Sequence, residues 1–160
     1  MNNINQENFS LKKEYIFLAL LYLSLIIGFI FGENSSGGAY LDYLNQKTIS
    51  ENFANNFFYS LLNYDDFTTR HSPILIIILS FLEKIQLSDF SIRLTYLHLN
   101  LFLPFIFYLI LKLKYQNIEQ KYFFLIIGLI FLSPTFRSLS IWPDSRLLGL
   151  TIFSLSIFYY

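Results

Sequence analysis

Between Tyr15 and Gly32 the chain reads YIFLALLYLSLIIGFIFG, without one charged side chain. About 20 such residues wound as an α-helix cross a hydrocarbon layer of roughly 30 Å. A secretory signal is the competing reading, but its apolar core covers only about 7–15 residues and ends in a small-residue cleavage site. The run is longer than that and GENSSGG matches such a site only loosely. We therefore read an uncleaved membrane anchor over 15–32.

Further apolar blocks follow. LTYLHLNLFLPFIFYLIL, at 94–111, is long enough to cross, with Pro104 expected to bend it and with His98 and Asn100 expected to join neighbouring helices. YFFLIIGLIFLSPTF opens at Tyr122 and extends to Ser138 if Arg137 snorkels to the interface, giving 122–138. LLGLTIFSLSIFYY, at 147–160, is still apolar at Tyr160, the ending expected of a helix cut within its length. PILIIILSFL is different. From Pro73 to Leu82 it makes only about 15 Å of helix, half a bilayer, and Glu83 with Lys84 then stops it. A juxtamembrane helix over 73–84 that does not cross is expected.

Composition agrees with this class. With 54% hydrophobic and 20% aromatic residues, a soluble domain of this length could not cover its apolar surface. Eleven basic and eleven acidic side chains cancel, so overall charge gives no reason to expect nucleic acid as a partner. The absence of cysteine excludes disulfides, thiolate metal sites and a cysteine nucleophile. The expected fold is an all-α integral membrane protein, a polytopic bundle of about four transmembrane helices with juxtamembrane helices in a large outer loop.

Lysine placement sets the threading. If 73–84 does not cross, Lys12 and Lys13 share the cytoplasmic side with Lys112, Lys114 and Lys121. Residues 1–14 and 112–121 are then cytoplasmic, and 33–93 and 139–146 face outward. The outer loop concentrates its charge in YDDFTTRHSPI, Tyr64 to Ile74. Arg70 can fork onto phosphate oxygens, and His71 can donate a hydrogen bond or move a proton near neutral pH. Pro73 suits the first turn of the short helix. Asp42 follows a glycine pair that permits a tight turn, and Asp144 opens the last block in IWPDSRLLGL.

The order of these features resembles the GT-C class of membrane glycosyltransferases, among them protein O-mannosyltransferases and aminoarabinose transferases. Shared features are an anchor, a large outer loop opening with an acid (here Asp42), an H-x-P-like segment heading a short apolar helix (His71 and Pro73), an Arg entering the next crossing (Arg93) and a later acid (Asp144). The resemblance covers the N-terminal part of such an enzyme. It implies transfer of a sugar from a polyprenyl-phosphate donor to an acceptor hydroxyl at the outer face of a bacterial plasma membrane. It also implies a catalytic carboxylate, Asp42, and donor-binding roles for Arg70, His71, Arg93 and Asp144, with Arg137 and Arg146 as weaker candidates. Asp65 and Asp66 would support a possible divalent cation or hold the arginines.

Each residue also has a plainer role open to it. Asp42 and Asp144 suit helix starts, Asp65 and Asp66 suit a solvated loop, and Arg70 and His71 suit headgroup anchors. A non-enzymatic membrane protein, or a lipid-carrier or polysaccharide-processing subunit, would carry the same apolar helices.

Overall fold

The computed structural model describes residues 3–69 and 71–160, with side chains from Lys13 onward; Arg70, a candidate donor-binding residue, lies outside them. Among the described residues every regular element is a helix, without a strand. The anchor is α1 (Asn3–Ile30), and the outer loop folds as α2 (Ala39–Asn55), α3 (Phe57–Leu62), a 3-10 turn (Tyr64–Phe67) and α4 (Pro73–Lys84). The apolar blocks beyond form α5 (Asp89–Asn100), α6 (Phe102–Lys114), α7 (Gln120–Leu132), α8 (Pro134–Ile141) and α9 (Ser145–Tyr159).

Two helices are long and apolar enough to cross a membrane, Lys13–Ile30 and the continuous α5–α6 segment Asp89–Lys114. A third is obtained if α7 and α8, bent by 62° at Ser133, count as one. At 15 residues α9 is shorter than a full crossing. Only 17% of the α1 window is buried inside the protein, leaving Tyr15, Leu20, Leu23 and Ile27 exposed. So wide an apolar surface is unfavourable in water and neutral in lipid.

Three expectations of the sequence change in detail. The second crossing begins at Asp89 rather than Leu94, because Ser88 caps the helix by accepting from the Ser91 N–H at 3.2 Å. Its irregularity falls at Leu101, where the Leu101 N–H turns back to the His98 carbonyl at 3.2 Å. That is three residues ahead of Pro104, which has no N–H to return to Asn100. The apolar block at 122–138 is not one straight helix, since α7 ends at Leu132. Ser133 caps a new helix with Pro134 at its first position, and Arg137 turns inward instead of snorkelling. The short helix, by contrast, spans Pro73–Lys84 as expected, with Ser72 as its N-cap.

Side-chain contacts fix the directions. Phe29 meets Phe90 with ring centroids 5.1 Å apart, Tyr22 bonds His98 at 2.8 Å, and Tyr15 packs on Phe124 at 6.0 Å. Hence α1 and α5–α6 are antiparallel, α7 lies beside α1, and α9 lies along α6, the two starting at the same end. Leu25, Phe29, Leu97, Phe131, Ile141 and Trp142 belong to the core between them. Lys13, Lys114 and Lys121 lie at one end of this bundle, Glu33, Asp42 and Asp144 at the other. Beside that second end, α2 buries Ala39, Tyr43, Gln46, Ser50 and Phe53 on one face, packed against α4. In turn α4 is joined to α5 through Leu75, Leu79, Ile92 and Tyr96.

Candidate functional site

Asp42 occupies the first turn of α2, positioned by a turn in which Gly37 takes φ 73°. A side chain at that φ would be strained. The Asp42 carboxylate makes no cap; its Oδ2 accepts from Arg146 Nη2 at 2.8 Å. The same Nη2 donates to Asp144 Oδ2 at 2.8 Å, and Arg146 Nε donates to Asp144 Oδ1, also at 2.8 Å. This is the planar two-point fork that suits guanidinium to carboxylate. Asp144 Oδ1 further accepts the Arg146 N–H at 2.8 Å, so Asp144 is the N-cap of α9 as well as the arginine's anchor.

Burial divides the three unequally. The Asp144 side chain has no exposed surface, while Asp42 is 41% and Arg146 54% exposed. An exposed ion pair contributes at most about 1 kcal/mol. A buried carboxylate stripped of its partner costs about 3–5 kcal/mol. Asp144 therefore locks Arg146, and Arg146 in turn positions Asp42 at the surface.

His71 reaches the same place from the other side. Its Nδ1 lies 2.9 Å from Ser145 Oγ, and its carbonyl accepts from the Tyr64 hydroxyl at 2.8 Å. Asp42 and His71 both line a cavity of about 550 Å³ beside α2, together with Asn45, Gln46, Thr48, Phe67, Thr68 and Thr69. On its opposite side Arg146 borders an apolar groove of about 650 Å³ between α6, α7 and α9, lined by Leu103, Phe107, Ile126, Leu129, Leu147 and Leu150. The charged cluster thus separates a polar cavity from an apolar groove.

The remaining sequence candidates lie elsewhere. Arg93 does not face the cavity: its guanidinium carbon is 3.6 Å from the centre of the Trp142 ring and 5.0 Å from that of Phe29, and its Nε donates to the Ile141 carbonyl at 3.2 Å. Stacking on aromatic faces is what a weakly hydrated planar cation does inside a bundle, and it leaves the Arg93 Nη2 buried without a hydrogen-bond partner among the described residues. Asp65 and Asp66 are exposed on the 3-10 turn and make no ion pair with a described residue. Among the described residues no three His, Asp or Glu side chains form a set able to hold a metal ion.

Arg137 has a separate partner. It donates from Nε and Nη2 to Glu33, with Nη2 to Oε2 at 2.5 Å, and from Nη1 to Ser24 Oγ at 3.2 Å. With side chains 12% and 24% exposed, this pair ties the end of α1 to α8. The arginine hydrogen bond is the main reason the Glu33 carboxyl titrates below its usual range. A second polar network holds α2 to the α4–α5 corner. Asp89 Oδ1 accepts from Tyr43 at 2.7 Å and Lys47 at 2.8 Å, while Ser50 donates to Glu83 Oε1 at 2.7 Å. The bond to Asp89 raises the Lys47 pKa, and burial raises that of Glu83.

Comparison with family models, with curated proteins and with solved structures finds no match. Of the residues around the cluster, Ser145, Gln46 and Glu33 were not among the sequence candidates. Ser145 is at least adjacent to Asp144, whereas the Glu33–Arg137 pair spans 104 positions and leaves no local signal.

Proposed function

We propose that this chain belongs to a membrane glycosyltransferase that takes its sugar from a polyprenyl-phosphate carrier. The observation that supports it is the position of the Asp42–Arg146–Asp144 cluster between a polar cavity and an apolar groove. A polyprenyl-phosphate sugar has the same three parts: a hydroxyl-rich head, a charged junction and an apolar tail. In this reading the bundle spans the membrane four times, α9 included, with Lys13 and Lys114 on the cytoplasmic side and the cluster outside.

The chemistry follows from the groups present. Asp42 orients the acceptor hydroxyl and takes its proton as the oxygen attacks the anomeric carbon. The bond from that carbon to the phosphate oxygen breaks, and the electron pair leaves with the phosphate. Arg146, whose Nη1 makes no hydrogen bond with a described residue, and His71 face the charge that develops there. Asp144 acts through Arg146 and touches no substrate.

The test is binding of polyprenyl phosphate, without sugar, to the chain in lipid nanodiscs. Saturable binding weakened about tenfold by Leu150→Arg in the groove is expected. Absence of binding, or binding indifferent to the groove, would refute this function.

A further inference from the structure

Among the described residues, Gln46 is the one buried lining residue of the polar cavity whose polar atoms have no partner, and the transfer reaction leaves its chemistry unused. It is 3% exposed, and neither its amide oxygen nor its amide nitrogen finds a hydrogen bond among the described residues. A buried amide left in this way costs about 1–3 kcal/mol, so it belongs where something else completes it. An amide offers two donors and an acceptor. Two neighbouring hydroxyls on one ring match that set, each able to give and to receive.

The rest of the wall has the same character. Asn45, Thr48, Thr68 and Thr69 present neutral amides and hydroxyls, and Phe67 presents an apolar face. Among the described residues no lysine or arginine lines the cavity, and the one carboxylate there, Asp42, already has Arg146 as its partner. A carboxylate-bearing sugar would meet Asp42 as a like charge, and an amino sugar would have to compete with Arg146 for it. We propose that the cavity takes the pyranose ring of an uncharged, fully hydroxylated hexose, and that Gln46 is a specificity-determining residue that reads two of its adjacent hydroxyls. The cavity's volume of about 550 Å³ leaves room for one such ring together with the acceptor group beside Asp42.

This inference rests on the glycosyltransferase reading, but its test is separate, because it follows free methyl glycosides rather than the polyprenyl phosphate whose tail the groove would hold. The chain in nanodiscs would be titrated with methyl mannoside, methyl glucoside and methyl galactoside, and with methyl glucuronoside as the charged control, following saturation transfer by NMR. At least one neutral hexoside should bind about tenfold or more tightly than the glucuronoside. Gln46→Leu keeps the bulk and removes the orphaned amide, so it should unfold no more easily than the native chain while weakening that hexoside about tenfold. Asn45→Ala, on the exposed rim, should weaken it severalfold and serves as the second variant if Gln46→Leu does not fold. Binding of the glucuronoside as tight as that of any hexoside, no hexoside binding at all, or binding unchanged in the variants would overturn the proposal.

Discussion

Gly28 faces the Glu33–Arg137 pair inside the bundle, and replacing it with alanine tests that pair by sterics alone. A methyl carbon there would fall directly onto Glu33 Oε2 and 2.9 Å from Arg137 Nη2. In an open helical position Gly→Ala stabilises by about 0.5–1 kcal/mol. Here the methyl group pushes the carboxylate off Arg137, and a charge-assisted bond lost from this partly buried pair costs about 1.5–3 kcal/mol. The net expectation is a loss of about 0.5–2.5 kcal/mol. Gly149 on α9 is the internal control, because nothing lies within 4 Å of its added carbon, and Gly149→Ala should gain the usual amount. Unfolding in mixed micelles, titrated with dodecyl sulfate, gives both values. The pH dependence adds a second check. The folded pKa of Glu33 is depressed by Arg137, so its contribution is present above the ordinary glutamate range and lost as pH falls through the folded value. That acid-side loss should shrink in Gly28→Ala. If Gly28→Ala and Gly149→Ala stabilise alike, the pair is not packed as described.

Gln86, just past α4, has φ 60°, with its N–H bonded to the Glu83 carbonyl and that of Leu87 to Leu82, the turn in which glycine is preferred. Gln86→Gly should therefore raise stability by about 1 kcal/mol in the same titration, and a loss would mean a different turn. Asp42→Asn should cost under about 1 kcal/mol, because the limb it weakens is exposed. Asp144→Asn should cost at least about 2 kcal/mol, as its charge-assisted bonds are buried; equal costs would contradict the division of roles. Single cysteines at Thr48 and Lys114, both exposed, should be labelled by an impermeant thiol reagent in intact cells only at 48. Labelling at 114 alone would invert the threading.

Much of the architecture was legible because lipid leaves few alternatives. An uncharged run of bilayer length becomes a helix wherever it lies, and α4 was bounded by Pro73 and Lys84, residues that start and stop helices for local reasons. The break at Ser133 was missed although its signal is local: serine before proline restarts a helix as readily as it ends one, and apolarity on both sides concealed it. Asp42 and Asp144 were identified by position, and their bridging by Arg146 was partly readable, since an N-cap aspartate and a residue two places on are neighbours in any helix start. Entry of Arg93 into a crossing suggests a headgroup or phosphate partner, whereas the rings it stacks on, Trp142 and Phe29, are 49 and 64 residues distant along the chain and invisible to spacing. Gln46 gave no signal, since one glutamine on a helix face is ordinary until both of its polar atoms prove unpaired.

The cleft's proposed chemistry rests most directly on Asp42. Membranes carrying the chain would be supplied with polyprenyl-phosphate hexoses, following release of polyprenyl phosphate, which requires no knowledge of the acceptor. Asp42→Asn keeps the side chain's shape and removes its charge, and stability measured alongside reports the fold. The account predicts release at least about a hundredfold slower in Asp42→Asn, the lower range for loss of a positioned base, with the native fold retained. Native rates of release from Asp42→Asn would contradict it.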